Sequence, residues 1–244
     1  MNKPLGYKSY GSIPHLPGSR RGPGDHGISE QQGKILTERV RDKHDVVIVA
    51  EKVDGSCVSV ARKEGQLLAL GRAGYLAQTS PFEQHQLFAE WVRQNQGLFG
   101  WLPNNYRACG EWMIQAHGTR YNLNKEPFVV YDVMMGHKRE PLSRWHLDDC
   151  SRFHGMAQMP CVPVLYIGTG SCSIEEALDL LGERGHFGAI DKAEGCVWRV
   201  EHNCEFNFIA KYVRPDKEDG KYLPEISGLP SVWNIKPEEL FLRK

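Results

Sequence analysis

One lysine set between two strand-forming runs constrains this chain more than any other feature. Residues 46–50 (VVIVA) are continuously apolar and β-branched, which suits a strand buried on both faces. Residues 56–62 alternate small polar side chains with Val58 and Val60, the pattern of a half-buried strand. Between them lie Glu51, Lys52, Val53, Asp54 and Gly55. Asp-Gly favours a turn, because glycine takes positive φ freely and aspartate bonds to nearby backbone. The pattern predicts a central hairpin with Lys52 at the mouth of a tight strand connection. A lysine desolvated there, or set near other cations, can lose its proton and become a nucleophile. For Lys-x-Asp-Gly alone the plainer reading is a surface lysine beside a turn, so the rest of the chain has to decide.

The whole chain sets the bounds. Its 244 residues suit one large domain or two small ones, and 41% hydrophobic residues are enough for a sizeable core. Lys and Arg together number 30, as do Asp and Glu, so a nucleic-acid partner would need basic residues clustered on one face. The seven cysteines stand at 57, 109, 150, 161, 172, 196 and 204. None forms Cys-x-x-Cys, which argues against a zinc knuckle. Cys57 and Cys196 fall among apolar strand residues and read as small core residues, and a reducing, cytoplasmic setting fits best. The first 20 residues have no signal-peptide apolar region, and no apolar run approaches membrane-spanning length.

Taken in order, residues 1–27 read as a loop-rich arm, with 10–16 packing in extended form and Arg20 and Arg21 either solvated or on a phosphate. Ser29-Glu30-Gln31-Gln32 has capping-box spacing and opens a helix to about Arg41. A short strand over 66–71 leads to Arg72, flanked by Gly71 and Gly74, which permit close backbone approach to a ligand. Ser80-Pro81-Phe82-Glu83 predicts a helix with Ser80 as cap and Pro81 in the first turn, burying Phe82, Phe88, Trp91 and Val92 and running to about Asn95. Residues 106–113 form a strand that places Glu111 in a semi-buried position, suited to accept ribose hydroxyls. Residues 128–133 form another, whose aromatic rings could stack on a base or pack in the core. The connecting region 135–172 carries a helix over 145–154 and a strand over 162–167; its histidines, His137, His146 and His154, lack metal-ligand spacing. Ser173 caps a helix that ends at the glycines at 182 and 185. Paired strands follow at 193–200 and 206–213, and then a polar, proline-rich tail. Strands and helices mix without regular βαβ alternation, which gives an α+β architecture.

The ordered set Lys52-Val53-Asp54-Gly55, Arg72-x-Gly74, Gly110-Glu111-Trp112-Met113, 128–133 (FVVYDV), Glu194-Gly195-Cys196-Val197-x-Arg199 and Ala210-Lys211-Tyr212-Val213-Arg214 resembles the motif series of the covalent nucleotidyltransferases. These are the ATP-dependent ligases and the mRNA capping enzymes. His117, Tyr121, the Phe128-x-x-Tyr131-Asp132 spacing and the early Ser12-Ile13-Pro14-His15-Leu16 look most like the RNA ligase branch. Six motifs in order, over roughly residues 10–217, are a specific match.

The resemblance implies an α+β nucleotidyltransferase fold, ATP-grasp-like, of mainly antiparallel sheets flanked by helices. Residues 1–244 would be one adenylation domain, with 1–27 as arm and 218–244 as polar tail. It implies an ATP-dependent RNA ligase of RNA repair in which Lys52 attacks the α-phosphate of ATP and carries AMP. Lys211 and Mg²⁺ (or Mn²⁺) would depress the pKa of Lys52 and neutralise the phosphate, and Glu194 would hold the metal. Asp54 and Gly55 belong to the nucleotide-binding turn. Arg72 and Glu111 would hold ribose and phosphate, Tyr131 or Phe128 would stack on adenine, and Glu51 would help position the base. The partners implied are RNA ends, with no membrane, and a monomer is expected. Two departures stand out. The second lysine common in the last motif is displaced, to Arg214 or Lys217, and residues 218–244 are too few for an OB-fold, which leaves either a minimal ligase or one relying on an accessory protein to grip RNA. The competing readings are a DNA ligase or capping-type enzyme, which usually relies on an OB-fold, and a nucleotide-dependent RNA-binding module without ligation.

Overall fold

The computed structural model describes residues 2–142 and 159–242. The helix expected over 145–154 lies outside the described residues. Two antiparallel sheets face each other. The first has the order β7-β1-β8-β9, built from β1 (Asp45–Lys52), β7 (Val164–Gly168), β8 (Gly195–His202) and β9 (Glu205–Val213). The second has the order β3-β2-β4-β5-β6, from β2 (Ser56–Lys63), β3 (Gln66–Gly71), β4 (Tyr106–Trp112), β5 (Phe128–Met135) and the short β6 (Lys138–Arg139). The architecture is α+β, as expected.

The central hairpin is not there. β1 and β2 belong to different sheets, and residues 53–55 cross from one to the other. The local Asp-Gly signal was correct about a change of direction, but strand partners are chosen by tertiary packing. Gly55 is also used differently from the expectation. It is absent from the positive-φ glycines, and a Cβ there would stand 2.6 Å from the Trp112 carbonyl oxygen. Its role is close approach to β4 rather than a left-handed turn.

The unbroken apolar run of β1 has a direct cause. Ile48 and Ala50 enter the larger core with Val58, Val60 and Tyr121, while Val47 and Val49 enter a second core with Leu36, Leu181 and Trp198. Both faces are covered, so no position can alternate to polar. The second core is closed by α1 (Glu30–Thr37) and α3 (Ile174–Leu181). Ser29 and Ser173 cap these helices as expected, accepting from the amides of Gln32 and Glu176 at 3.3 and 3.1 Å. α1 stops at Thr37 rather than Arg41, because Arg41 is used to brace the start of β1. Its amide and Nε both reach Asp45 Oδ2 at 2.9 Å.

α2 (Glu83–Gln94) buries Phe88, Trp91 and Val92 against Trp112 and Phe128 of the second sheet. Its start differs from the expectation. Phe82 occupies the capping position, and Ser80 accepts from the Phe82 amide at 3.3 Å and pairs with His85 Nδ1 at 2.8 Å. Phe82 itself is exposed, set edge-on to His85. Residues 160–163 stitch the sheets together. Val130 of β5 donates to the Pro160 carbonyl (2.8 Å) and accepts from Val162 (3.1 Å), and Glu51 of β1 donates to Pro163 (2.9 Å). The segment read as a polar tail packs into the larger core through Ile235 and Leu240, around α4 (Pro224–Ser227) and α5 (Pro237–Leu240). No helix among the described residues is long and apolar enough to cross a membrane.

Candidate active site

Lys52 is the last residue of β1, and its partner in the register is Gly195 at the start of β8. That pairing brings the residue before Gly195 alongside, and Lys52 Nζ lies 2.7 Å from Glu194 Oε2. Lys52 lines a cleft of about 150 Å³ between the sheets, and Glu194 stands beside it through that ion pair. Lys52, Arg72, Glu111, Tyr131 and Lys211 all line it. They come from β1, the turn after β3, β4, β5 and β9, so five separate segments converge. The sequence-predicted site residues are therefore largely assembled in one place.

The electrostatics differ from the simple expectation of a cation-depressed nucleophile. Burial alone would lower the pKa of Lys52, but the carboxylates of Glu194, Glu111 and Asp54 outweigh burial and raise it well above the ordinary lysine value. Lys211 goes the other way. Burial and the charge of Lys52 lower it, despite Asp25 at 4.0 Å. Glu111 is pushed well above the usual carboxylate range by burial, with Asp54 and Glu194 adding to the effect. Its Oε2 is buried with no hydrogen-bond partner among the described residues. Glu194 is also raised by burial, with Lys52 opposing.

Tyr131 and Phe128 part company. Phe128 is fully buried among Phe88, Trp91 and Phe99 and cannot face the cleft. A bulge opposite Cys109 and Gly110 leaves Tyr131 out of the ladder and turns it into the cleft. Its hydroxyl lies 2.9 Å from Cys57 Sγ, and its ring lies 5.0 Å from that of Tyr10, edge to face. Cys57 lines the cleft and also packs against a small core of Tyr10, Cys109 and Met134.

Other expected residues have different placements. Glu51 is buried, and its carboxylate is anchored by the loop after α3, with Oε2 accepting from the His186 amide at 2.6 Å. Glu51 also lines the cleft. Asp54 is held beneath the turn by Gly118 N (2.8 Å) and Lys217 Nζ (2.5 Å). Gly74, at φ +90°, makes room for the Tyr7 carbonyl of the arm rather than for a ligand. Arg20 pairs with Asp219. The arm as a whole docks on β9: Lys211 exchanges backbone bonds with Pro14 and Leu16 at 2.9 and 2.8 Å. Sequence reasoning missed Tyr10, His15 and Asp25, which the arm brings against Asp132 and Lys211. Tyr10 and His15 stand in the extended stretch 10–16, and His15 in a motif of the RNA ligase branch, but the sequence assigns neither to the site; Asp25 stands in an apparent loop.

The residues present suit a divalent cation. Glu111 and Glu194 both act by charge on Lys52, and Glu111 Oε2 is buried without a hydrogen-bond partner among the described residues, so the site offers carboxylate oxygens of the kind Mg²⁺ and Mn²⁺ prefer. The family model described as RNA ligase matches residues 45–213. Among solved structures, the chain is similar to a lysine-to-alanine variant of Naegleria gruberi RNA ligase with ATP and Mn (TM-score 0.51, 16% identity, covering 91% of this chain and 64% of that one). A second such variant with ATP and Mn gives 0.51 at 17% identity, covering 85% and 61%. A glutamate-to-alanine variant with AMP and Mn gives 0.50 at 17%, covering 87% and 61%. The chain thus spans less than two thirds of those proteins, and at these identities the likeness shows the fold. No curated protein matches the chain.

Proposed function

This chain belongs to the RNA ligase family, and from that premise we propose that residues 1–244 act as one adenylation domain that joins RNA 5′-phosphate and 3′-hydroxyl ends at the expense of ATP. The observation that carries the reading is Lys52 at the cleft, 2.7 Å from Glu194 and framed by Arg72, Glu111, Tyr131 and Lys211.

In the first step the Lys52 amine attacks the α-phosphorus of ATP. Lys52 first loses its ammonium proton to solvent; a nitrogen–phosphorus bond then forms, the bond to the leaving pyrophosphate breaks, and one further proton passes from nitrogen to solvent, leaving a phosphoramidate N–H. In the second, an RNA 5′-phosphate oxygen displaces Lys52 from AMP. In the third, an RNA 3′-hydroxyl displaces AMP and seals the strand. Splitting the reaction turns a poor leaving group into AMP.

The residues divide this work. Tyr131 offers its ring to the base, and Glu111 offers acceptor oxygens to ribose. Arg72 and Lys211 face the phosphates, and Lys211 meets the growing charge on the α-phosphate. Glu194 holds Lys52 as an ammonium in the unliganded protein, so it must let go before attack. Glu194 and Glu111 would hold Mg²⁺ or Mn²⁺, which would supply positive charge to the phosphate.

The test is incubation with α-labelled ATP and Mg²⁺, denaturing separation, and a Lys52→Ala control. Label on the wild type alone supports the reading. A wild type that takes no label, and is free of pre-bound AMP by intact mass, turns it toward a nucleotide-dependent RNA-binding module.

A further inference from the structure

The first two cations after β9 are Arg214 and Lys217, and neither lines the cleft. Arg214 is buried and donates to the carbonyls of Gly182 and Glu183, which closes the end of α3. Lys217 turns inward. Its side chain is 5% exposed, and its ammonium donates to Asp54 Oδ2 at 2.5 Å and to Thr119 Oγ1 at 2.6 Å. A buried ammonium is costly unless paired and hydrogen-bonded, and here both conditions are met.

The pocket for this ammonium depends on a glycine. A Cβ on Gly118 would stand 2.4 Å from the Glu218 carbonyl oxygen and 2.8 Å from Lys217 Nζ. The Gly118 amide donates to the same Asp54 oxygen at 2.8 Å, and the Asp54 amide donates to Tyr121 Oη at 3.0 Å. Asp54, two residues beyond Lys52, is therefore held from two remote segments. Its carboxylate also acts on Lys52 by charge. Released from Lys217, it would compete with Glu194 for the Lys52 ammonium.

We propose that Lys217 is a positioning residue: through Asp54 it fixes the turn after β1 and so sets where Lys52 Nζ meets the α-phosphate of a bound nucleotide. The inference rests on the ligase reading. It assigns the displaced cation of the last motif to the nucleophile's turn rather than to a phosphate.

The test is the single-turnover rate of Lys52 labelling by α-labelled ATP and Mg²⁺, with ATP affinity and melting temperature measured beside it. Lys217→Met is expected to label about 100-fold more slowly, with ATP affinity nearly unchanged, since small displacements of a reacting group cost about that much. Lys217→Arg is expected to recover part of the rate. The double variant Asp54→Asn with Lys217→Met removes both charges together and guards against a misfolded single variant. It is expected to fold and still label about tenfold slowly, because the turn is no longer pinned. A folded Lys217→Met or double variant that labels at the wild-type rate overturns the proposal. If the wild type takes no label, the ligase reading fails separately. The proposal is then decided by reaction of Lys52 with pyridoxal phosphate and borohydride, mapped by mass spectrometry. A several-fold change in Lys217→Met supports it, and an unchanged yield overturns it.

Discussion

Lys52 is a strong base where a nucleophile is wanted, and Lys211 is the weaker base beside it. Their side chains are similarly exposed, at 21% and 19%, so access does not separate them. Charge does. Lys52 is raised by Glu194, Glu111 and Asp54 against burial, while Lys211 is lowered by burial and by Lys52. In metal-free protein at pH 8, competitive labelling with acetic anhydride is therefore expected to modify Lys211 faster than Lys52, as read by peptide mass spectrometry. The reverse order would mean that the carboxylates do not govern the nucleophile. Tyr131 gives a second expectation at this scale. Tyr131→Ala is expected to weaken ATP binding about tenfold or more, as loss of a stacking ring does. Tyr131→Phe loses only the contact with Cys57 and is expected to bind nearly as well; calorimetric titration distinguishes the two. The sequence made Lys52, Glu111, Glu194 and Lys211 legible, because each stands beside a short motif. It could not choose between Tyr131 and Phe128. That choice is made by a bulge, and a bulge is a mismatch between two strands, which neither strand carries alone.

Strands and helices were legible wherever one segment's own pattern decided them. The run at 46–50, the capping serines at 29 and 173 and the aromatic face of α2 all behave as their residues dictate. The failures lie at junctions. Asp54-Gly55 looked like a hairpin because turn chemistry is local, whereas the sheet to which the next strand belongs is not. The start of β1 shows how such a junction is secured. Asp45 is fully buried, and although burial raises its pKa, bonds from Arg41 and then His202 bring it down to about 2. A carboxylate depressed in the folded state stabilises the fold above its unfolded value near 4 and loses that contribution as pH falls toward 2. Asp45→Asn is expected to cost about 2 kcal/mol at pH 7 and to flatten the loss of stability between pH 4 and 2. Urea titrations across that range would show it; an unaltered slope would place the acid sensitivity elsewhere.

At the scale of the whole molecule, the two sheets are joined at the cleft by charge. Asp132 of β5 accepts from Arg199 of β8, from Arg139 Nε at 2.7 Å and from Tyr10 Oη at 2.7 Å. One buried carboxylate thus ties the second sheet, the first sheet and the amino-terminal arm together. Removing one partner of such a set leaves the others uncompensated. Arg199→Met is expected to lose about 3–5 kcal/mol of unfolding free energy by urea denaturation. Adding Asp132→Asn is expected to recover part of that loss, and a double variant no more stable than the single would show the residues to be independent. The tail was misread at this scale: its polar composition hid Ile235 and Leu240, which complete the larger core. The topology of β1 also bears on synthesis. Its ladder partners are Gly168 opposite Val47 and His202 opposite Asp45, so more than a hundred residues must leave the ribosome before the strand can be paired on either side. Until then an apolar, β-branched segment emerges early and stays open to other chains. The strand that carries the nucleophile is among the last to be secured in the nascent protein, and yield in the cell will follow how well that interval is shielded from aggregation.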